Sequence, residues 1–309
     1  MSGPLDRAAI ILESKVPGRV KRNLPLAPLT TFRLGGPASI YMEPEADADL
    51  VAAAAAVSET GIPYLVIGKG SNLLVADDGF PGLVLRLGRG FRWAARDGDL
   101  LSAGGSMPLP ALAGVALRHG LSGLEFGVAI PATVGGAVAM NAGAHSGEMA
   151  AVVDHVSIFR MTSGSFATLG LEELGFSYRR SDIPSDGVVT RASLRMRPGD
   201  EPAIRSEMDA AKDWRRRTQP LAEPNCGSVF TNPPEDHAAR LIDAAGGKDL
   251  RVGGASVSRK HANFIIANPG ATAADVRALI ARIQEVVEAA SGVRLATEVR
   301  FVGGGFPDG

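Results

Sequence analysis

The chain has 309 residues, of which 45% are hydrophobic and 21% charged, and its formal net charge at pH 7 is −1. This length suits two or three domains or one large one, and the composition excludes disorder along the whole chain. The balanced charge argues against a strongly basic nucleic-acid-binding protein, and the single cysteine, Cys226, excludes an internal disulfide and a cysteine-based metal cluster.

Neither a secretion signal nor a membrane anchor is indicated. Residues Met1 to Lys15 contain no apolar segment of signal-peptide length, and the alanine-rich run Leu50 to Val57 is far too short to span a bilayer. The five histidines lie far apart, without the spacing of a helical zinc motif. We therefore expect a soluble cytoplasmic protein with no membrane insertion, no nucleic-acid partner and no metal ion.

Helices and strands alternate along the first half of the chain. Apolar periodicity and turn residues predict a helix over Glu45–Thr60 that ends at Gly61, strands over Pro63–Ile67 and Gly82–Leu87, a hairpin of Phe91–Arg96 with Leu100–Ala103, and a helix over Leu109–His119.

The second half continues this alternation. It predicts a hairpin of Val152–Met161 with Ser165–Leu169, a half-buried strand over Val188–Arg197, helices over Pro202–Arg217, Asp236–Ala245 and Thr272–Ser291, and strands over Asn263–Ala267 and Leu295–Val302. On the predicted half-buried strand, the residues expected on the face opposite the apolar side chains are Arg191, Ser193, Arg195 and Arg197. The residues expected to share one face of the following helix are Ile204, Met208, Ala211 and Trp214. Hairpins are too frequent for a purely parallel sheet, so the predicted fold class is α+β.

Glycine is the unusual residue in this composition. The chain has 38 glycines, nearly double the average usage of about 7%. One cluster, Gly68-Lys-Gly-Ser-Asn72, follows a predicted strand, and its amide groups suit a pyrophosphate. It departs from the Walker pattern at Gly70 and from the dinucleotide fingerprint at Leu73. An ordinary tight turn is the alternative interpretation.

A second glycine-rich segment runs from Glu125 to Ala144 and consists mostly of small residues. Such a segment can wrap a flat ligand with its backbone, or it can line a close crossing of a helix and a strand. Two such segments in one chain favour a large phosphate-bearing ligand with a planar part, such as a flavin or nicotinamide dinucleotide.

An ordered set of motifs then resembles a known family. The motifs are Thr30-Thr-Phe-Arg-Leu-Gly-Gly36, Gly68-Lys-Gly-Ser-Asn-Leu-Leu74, Ile130-Pro-Ala-Thr-Val-Gly-Gly136, Met140-Asn-Ala-Gly143, Tyr178-Arg-Arg-Ser181, Gly227-Ser-Val-Phe230 with Asn232-Pro233, and Glu298-Val-Arg300. Together they resemble the UDP-N-acetylenolpyruvoylglucosamine reductases, the MurB family of peptidoglycan synthesis, over about residues 29 to 302.

The resemblance implies a fold and a cofactor. The fold is an FAD-binding module of the vanillyl-alcohol-oxidase/PCMH type followed by a smaller α/β substrate-binding domain. The expected parts are FAD-binding subdomains over 1–87, to which 300–309 return, and over 88–217, and a substrate-binding domain over 218–299. FAD is bound non-covalently, so no flavin bond is assigned to His145, and NADPH is the electron donor.

The motifs also carry over the cofactor contacts. The residues that the resemblance places against FAD are Thr31, Arg33, Gly68, Lys69, Gly70, Ser71, Asn72, Leu73, Pro131, Ala132, Thr133, Gly135, Gly136, Asn141 and Gly143. Alanine at 132 replaces a frequent glycine and is small enough to keep the close approach.

Three side chains match the catalytic positions of the family. Hydride addition to an enolpyruvyl alkene creates an enediolate, which needs a cation or hydrogen-bond donors, and the adjacent carbon needs a proton. The resemblance implies that Arg179 and Glu298 stabilise the enediolate and that Ser228 donates the proton. Without the motifs, the three read as a surface arginine, a turn serine and an outward carboxylate paired with Arg300.

The remaining positions are assigned less directly. Tyr178 and Asn232 are expected to contact the UDP-sugar substrate. Thr231 replaces a frequent lysine, which puts an electrostatic role there in doubt, and Cys226 and His261 read as packing residues. Because the spacing from Tyr178 to Ser228 leaves no room for a large insertion, the chain resembles the shorter subtype of the family.

Two other functions stay open on the sequence. An FAD-dependent oxidase with the same flavin module would not need Arg179, Ser228 and Glu298 together. A non-catalytic protein that binds a sugar nucleotide or another nucleotide would tolerate the loss of the flavin and of Ser228. The expected partner is the sugar nucleotide alone, with no obligatory protein partner.

Overall fold

A computed structural model of the chain describes residues 3–144 and 147–304. The residues form two compact units, each assembled from separate stretches of the chain. Unit 1 contains residues 1–22, 40–69 and 82–214, and unit 2 contains residues 23–39, 70–81 and 215–309. The chain therefore passes between the units several times, and one passage lies inside the first glycine loop, between Lys69 and Gly70.

The helices and strands follow in chain order. The helices are α1 (Pro4–Lys15), α2 (Asp47–Thr60), α3 (Leu109–Arg118), α4 (Val134–Ala139), α5 (Leu171–Leu174), α6 (Glu201–Thr218), α7 (Ala238–Ala244) and α8 (Ala273–Ser291). The first nine strands are β1 (Val20–Pro25), β2 (Pro37–Met42), β3 (Tyr64–Val66), β4 (Leu73–Val75), β5 (Phe80–Leu85), β6 (Ala94–Asp97), β7 (Leu100–Gly104), β8 (Leu121–Ser122) and β9 (Gly143–Ala144). The later strands are β10 (Gly147–Glu148), β11 (Val153–Arg160), β12 (Ser165–Gly170), β13 (Gly187–Arg195), β14 (Arg197–Pro198), β15 (Arg251–Val252), β16 (Ala255–Val257), β17 (Ile265–Ala267) and β18 (Arg300–Val302).

A five-stranded antiparallel sheet, with the order β12-β11-β13-β7-β6, forms the centre of unit 1. Its core includes Leu101, Val156 and Leu194, together with Leu112 of α3 and Val134 of α4. Burying an apolar face of this kind is the dominant stabilising contribution to such a sheet.

The central strand of this sheet corrects a prediction. Alternation placed Ser193 on an exposed face of β13, yet Ser193 is 3% exposed and its hydroxyl lies 2.8 Å from that of Ser102. Val189 on the same predicted face is also buried, whereas Arg191 and Arg195 are exposed. The burial of each side chain depends on what packs against that position of the strand, which hydropathy alternation does not show.

The second sheet has the strand order β1-β2-β5-β3, and β1, β2 and β5 run across the unit boundaries. Strands β3 and β5 are parallel. In unit 1, a further apolar cluster joins Leu12 of α1, Leu50 of α2 and Leu85 of β5. The predicted helix end at Gly61 is confirmed, with a φ of 67°.

Unit 2 has a three-stranded antiparallel sheet, β15-β16-β17, and the long helix α8. The predicted helix start is confirmed because the Thr272 hydroxyl accepts the Asp275 amide at 3.0 Å and the Asp275 carboxylate accepts the Thr272 amide at 3.1 Å. Strand β18 pairs in parallel with β4, which brings residues 300–302 beside 73–75. This pairing ties the last strand to the segment that follows the first glycine loop.

Several elements were missed or misplaced by the sequence prediction. The elements α1, β1, β2, β4 and α4 were not predicted. Trp214 was placed on the apolar face of α6, but its side chain is 42% exposed, while Ile204, Met208 and Ala211 are buried as predicted. The final strand is limited to Arg300–Val302, because residues 296–299 pair with another segment instead.

Candidate functional site

The part of the first glycine loop that lies in unit 2 is built for close approach. Gly70 has a φ of 64°, and a Cβ there would lie 2.2 Å from the Leu29 carbonyl oxygen. The Thr31 amide donates to the Gly70 carbonyl at 3.1 Å, which holds the loop against the Thr30-Thr31 segment. Only glycine fits this position without displacing backbone.

The amide groups of this loop are available to a ligand. Within residues 3–144 and 147–304, the amides of Gly70, Ser71 and Asn72 have no hydrogen-bond acceptor. Successive amides without protein acceptors are the donor set that a pyrophosphate requires. The residues present therefore fit the pyrophosphate of FAD.

The second glycine-rich segment, in unit 1, is not an extended loop. It contains a 3-10 helix over Glu125–Ala129 and the short helix α4, which Thr133 caps by accepting the Gly136 amide at 3.3 Å. Gly135 donates to the Gly105 carbonyl at 2.9 Å. A Cβ on Gly68 would lie 2.5 Å from the Thr133 hydroxyl, so the two glycine-rich segments meet there within unit 1.

Asn141 has a structural role that the sequence did not show. It is fully buried, its Nδ2 donates to the Ser177 carbonyl at 2.9 Å, and its Oδ1 accepts the Ala150 amide at 2.9 Å. The side chain thus joins the second glycine-rich segment to the turn that carries Tyr178 and Arg179. Its predicted contact with FAD stays a prediction.

Tyr178 and Arg179 form the tip of a tight turn in unit 1. Ser177 and Arg180 exchange backbone hydrogen bonds of 3.0 and 3.1 Å across it. Arg179 has a φ of 58°, which is uncommon for a residue with a side chain and marks candidate functional positions. Its guanidinium lies 4.9 Å from the centre of the Tyr178 ring and donates to the Gly143 carbonyl at 2.9 Å. The arginine is thereby directed toward the end of the second glycine-rich segment.

Ser228 and Glu298 are brought together by backbone pairing in unit 2. The Glu298 amide donates to the Val229 carbonyl at 2.8 Å, and the Thr231 amide donates to the Ala296 carbonyl at 3.0 Å. Phe230 and Thr297 form an antiparallel bridge between these hydrogen bonds. We call this pairing of 229–231 with 296–299 the catalytic ladder. It pairs residue 298 with residue 229, the neighbour of Ser228, although 70 positions separate Ser228 and Glu298 along the chain.

The ladder is anchored to the first glycine loop through Asn72. Its Nδ2 donates to the Glu298 carbonyl at 3.0 Å, and its own carbonyl accepts the Arg300 amide at 3.1 Å. Asn72 was predicted only as a cofactor contact. Its side chain also fixes the backbone that carries the candidate glutamate.

Asn232 and Thr231 continue the segment beyond the ladder. The Asn232 Oδ1 accepts the Ala238 amide at 3.0 Å, so it caps the start of α7 and leaves its amide nitrogen for other contacts. The Thr231 hydroxyl donates to the Ala296 carbonyl at 3.3 Å. Threonine at this position therefore supports the ladder.

Burial shifts the pKa values of two titratable groups near the ladder, Cys226 and His261. Cys226 is 3% exposed, and desolvation, followed by the nearby Glu298 charge, raises the pKa of its thiol. A thiol of this kind is inert, in line with the packing role expected of it. Burial also lowers the pKa of His261, whose Nδ1 accepts the Asn263 amide at 3.3 Å. His261 is therefore a neutral structural histidine.

The predicted site residues divide between the two units. Tyr178, Arg179 and the predicted cofactor residues 131–143 lie in unit 1, and Ser228, Glu298 and Asn232 lie in unit 2. Arg33 and Lys69 are exposed, and Arg33 has a φ of 56°. His145 lies outside the described residues. The sequence analysis gave no role to Asn263, whose side chain bonds the backbone of Phe230.

Three other properties bear on the site. A cavity of about 620 Å³ in unit 1 has Trp93, Phe166 and Arg191 among its lining residues, but none of the predicted site residues.

Within the part of the chain that the structure describes, no group of three His, Cys, Asp or Glu side chains could hold a metal ion. Over the same residues, no helix is both long and apolar enough to cross a membrane.

Comparison with known proteins first defines the class. A family model described as an FAD binding domain matches residues 38–167. A grass pollen allergen with glucose dehydrogenase activity, Phl p 4, shares the fold at 14% identity, with a TM-score of 0.52 over 63% of this chain and 44% of that chain. Together with the glycine loops, these matches define an FAD-binding protein with the expected α+β fold.

The comparisons then give the family. The C-terminal domain model of UDP-N-acetylenolpyruvoylglucosamine reductase matches residues 219–302. The enzyme of that name from Anaeromyxobacter sp. (strain Fw109-5) is 47% identical over 98% of this chain and 95% of its own. The one from Heliobacterium modesticaldum is 45% identical over 94% of each chain.

A solved structure agrees with these sequence matches. The UDP-N-acetylenolpyruvylglucosamine reductase (MurB) from Thermus caldophilus is 40% identical and has a TM-score of 0.80, covering 92% of this chain and 99% of that chain. The chain belongs to the UDP-N-acetylenolpyruvoylglucosamine reductase family, as its motifs predicted, and functions in peptidoglycan precursor synthesis.

Proposed function

We propose that this flavoenzyme reduces UDP-N-acetylglucosamine enolpyruvate to UDP-N-acetylmuramate with electrons from NADPH. Its proposed catalytic residues are Arg179, Ser228 and Glu298. The observation that carries this assignment is the catalytic ladder, in which the Glu298 amide bonds the carbonyl of the residue that follows Ser228. A proton donor and a hydrogen-bonding carboxyl group on adjacent backbone suit the reduction of an alkene. In that reaction, negative charge must be stabilised and a proton delivered at neighbouring atoms of the substrate.

When bound, FAD would supply the hydride-transfer chemistry that connects NADPH with the terminal carbon of the enolpyruvyl group. The Gly70–Asn72 amides would hold its pyrophosphate, and the residues around Thr133 would hold the rest of the dinucleotide. Loop donors of this kind orient a cofactor without changing its chemistry.

Arg179 would bind the carboxylate of the enolpyruvyl group. A guanidinium stays charged throughout the working pH range and can form two parallel hydrogen bonds to a carboxylate. As hydride adds, negative charge develops on that carboxylate. Arg179 would therefore bind the enediolate more strongly than the substrate, which is the condition for catalysis.

Glu298 would act in its protonated form, as a hydrogen-bond donor to the enediolate. Ser228 would then protonate the carbon that bears the sugar oxygen. Ser228 is half-buried, and its hydroxyl has no hydrogen-bond partner among the residues that the structure describes. It is thus available to the substrate. A serine is a weak acid, so the alkoxide would have to regain its proton rapidly from surrounding groups.

The arrangement of the chain supports separate regions for binding FAD and for binding the substrate. We assign FAD binding to 1–87 and 88–217, with the last residues returning to the first part, and substrate binding to 218–299. The family matches over 38–167 and 219–302 support this assignment. Tyr178 and Asn232 would contact the sugar nucleotide. The connection from Tyr178 to Ser228 runs through β13 and α6 without a large insertion, which supports the shorter subtype of the family.

The cellular setting follows from the reaction. Both NADPH and the sugar nucleotide are small cytoplasmic metabolites, so we place the enzyme in the cytoplasm, where its product would serve cell wall growth, cell shape and cell division. We propose that it acts without an obligatory protein partner and without a metal ion.

The direct test is optical. The purified holoenzyme is reduced anaerobically with NADPH, the excess is removed, and UDP-N-acetylglucosamine enolpyruvate is added while the visible flavin absorbance is followed. We expect the absorbance to return within the mixing time. If the flavin stays reduced until air enters, the protein is an oxidase of the same fold acting on another substrate.

A further inference from the structure

Asn263 is a buried polar residue that bonds the catalytic ladder at three points. Its side chain is 4% exposed. Its Oδ1 accepts the Phe230 amide at 2.9 Å, and its Nδ2 donates to the Phe230 carbonyl at 2.8 Å. Its backbone carbonyl accepts the Val229 amide at 2.9 Å. All the polar groups of the side chain are thus directed at one residue of the ladder.

This arrangement completes the ladder from the side opposite Glu298. The Val229 carbonyl accepts the Glu298 amide, while the Val229 amide donates to Asn263. The backbone that directly follows Ser228 is therefore held on both of its edges. Phe230 itself is 1% exposed, so its backbone groups have no access to solvent and depend on these partners.

The chemistry requires an asparagine at this position. A carboxamide offers one acceptor and one donor side by side, which matches the amide and carbonyl of a single extended residue. An aspartate of the same shape keeps the acceptor but faces the Phe230 carbonyl with a second oxygen, which leaves that carbonyl unpaired. A buried polar group without a partner is unfavourable, so the backbone would move to relieve it.

We infer that Asn263 is a positioning residue for Ser228: its side chain fixes the backbone of residues 229–230 so that the serine hydroxyl meets the carbon to be protonated. This rests on the proposed role of Ser228. In that step the Ser228 O–H bond breaks, a C–H bond forms at the carbon bearing the sugar oxygen, and the electron pair of the enediolate becomes the new bond. Displacement of a reacting group by about 1 Å can cost about 10²-fold in rate.

The test separates the two half-reactions of the holoenzyme in a stopped-flow instrument. For Asn263→Asp, we expect reoxidation of the reduced flavin by UDP-N-acetylglucosamine enolpyruvate to slow by about 10–10²-fold. We expect flavin reduction by NADPH to change by less than about twofold, because it needs no proton from Ser228. The solvent deuterium isotope effect on reoxidation should increase, since proton delivery becomes rate-limiting.

A double-mutant cycle with Ser228→Ala identifies the route of the effect. If Asn263 acts through Ser228, adding Asn263→Asp to Ser228→Ala should change reoxidation by less than about twofold, because residues that act as a unit are non-additive. The matched control is Asn268→Asp, which removes an asparagine donor to the Gly254 carbonyl of the same unit, away from the ladder. It should leave both half-reactions unchanged.

The outcomes separate the inference from the assignment beneath it. Full turnover by Ser228→Ala overturns the proton donor and, with it, the role of Asn263. If Ser228→Ala is impaired but Asn263→Asp slows reoxidation equally in both backgrounds, only the positioning role fails. An equal loss in both half-reactions, or an equal loss in Asn268→Asp, likewise marks Asn263 as a general structural residue. Should Asn263→Asp not fold, Asn263→Ser, which is small and uncharged, is measured in the same cycle with the same criteria.

Discussion

Arg179 lies at the tip of a four-residue turn, in a left-handed backbone conformation with a φ of 58°. Ser228 and Glu298 lie instead on two backbone segments that pair with each other and with buried side chains. The turn is closed by two local hydrogen bonds and directed by contacts of the arginine itself. The ladder is held by partners from residues 72, 263 and 296–299, far away along the chain.

The difference shows two ways of placing a catalytic group. The turn is closed by hydrogen bonds within four residues, and its contacts with Asn141 and Gly143 add to this local closure. A ladder residue is only as well placed as the packing that brings its strands together. Mutations of the reacting side chains should therefore abolish chemistry in both regions, whereas mutations of supporting groups should affect the ladder more than the turn.

The largest effect is expected at the ladder itself. Ser228→Ala removes the proposed proton donor, and general acid catalysis is worth about 10²–10⁴-fold. Turnover should fall by that factor while NADPH still reduces the flavin, as followed by visible absorbance. Ser291→Ala is the control, because that hydroxyl lies at the end of α8, where it donates to the Val287 carbonyl and accepts the Val293 amide. Full turnover by Ser228→Ala would remove the serine from the mechanism.

Next in size is the turn. Arg179→Ala should lower kcat by about 10²–10³-fold, the usual effect of deleting one preorganised charge-stabilising donor. Arg179→Lys should recover only part of this, since an ammonium lacks the planar fork. The neighbouring Arg180→Ala, which removes an exposed ion pair with Asp182, should leave steady-state rates unchanged. Equal losses at 179 and 180 would mean that the turn, and not the guanidinium of Arg179, matters.

A smaller effect is expected on the stability of the unit that holds the ladder. The Asp77 carboxylate accepts the Ala273 and Ala274 amides at 2.8 and 3.0 Å, at the start of α8. Asp77→Ala should lower the free energy of unfolding by about 1 kcal/mol, as for other lost helix caps. Urea denaturation measures this. Asp78→Ala, an exposed neighbour, should change it by less than about 0.5 kcal/mol, and a similar loss in both variants would refute the capping role.

The smallest effect is a pH dependence carried by His261. Burial lowers the pKa of this histidine, so the folded protein binds the proton more weakly than the unfolded chain. Its contribution to stability is present above about pH 6.5 and declines as the pH falls toward the lowered pKa. Urea unfolding between pH 5 and 8 should show this decline in the wild type and a weaker one in His261→Gln. The exposed His119→Gln serves as control, and an unaltered pH profile in His261→Gln would contradict the assignment.

The sequence by itself determined the elements whose signals are local. The capping box at Thr272 and Asp275, the helix ends at Gly61 and Gly292, and the turn between β11 and β12 depend on residues a few positions apart. The family and its cofactor also followed from sequence, because the order of short motifs along the chain is itself specific.

The tertiary structure alone decided the rest. Hydropathy could not show that Val189 and Ser193 of β13 are buried while Arg191 and Arg195 are exposed, because burial depends on what packs against each position of the strand. The motifs named Ser228, Glu298 and Asn72 separately, but their hydrogen bonds join positions up to 226 residues apart. Asn263 carries no local signal at all. An asparagine becomes a support for the ladder only when folding buries it against the backbone of Phe230, where the loss of water leaves that backbone dependent on its carboxamide.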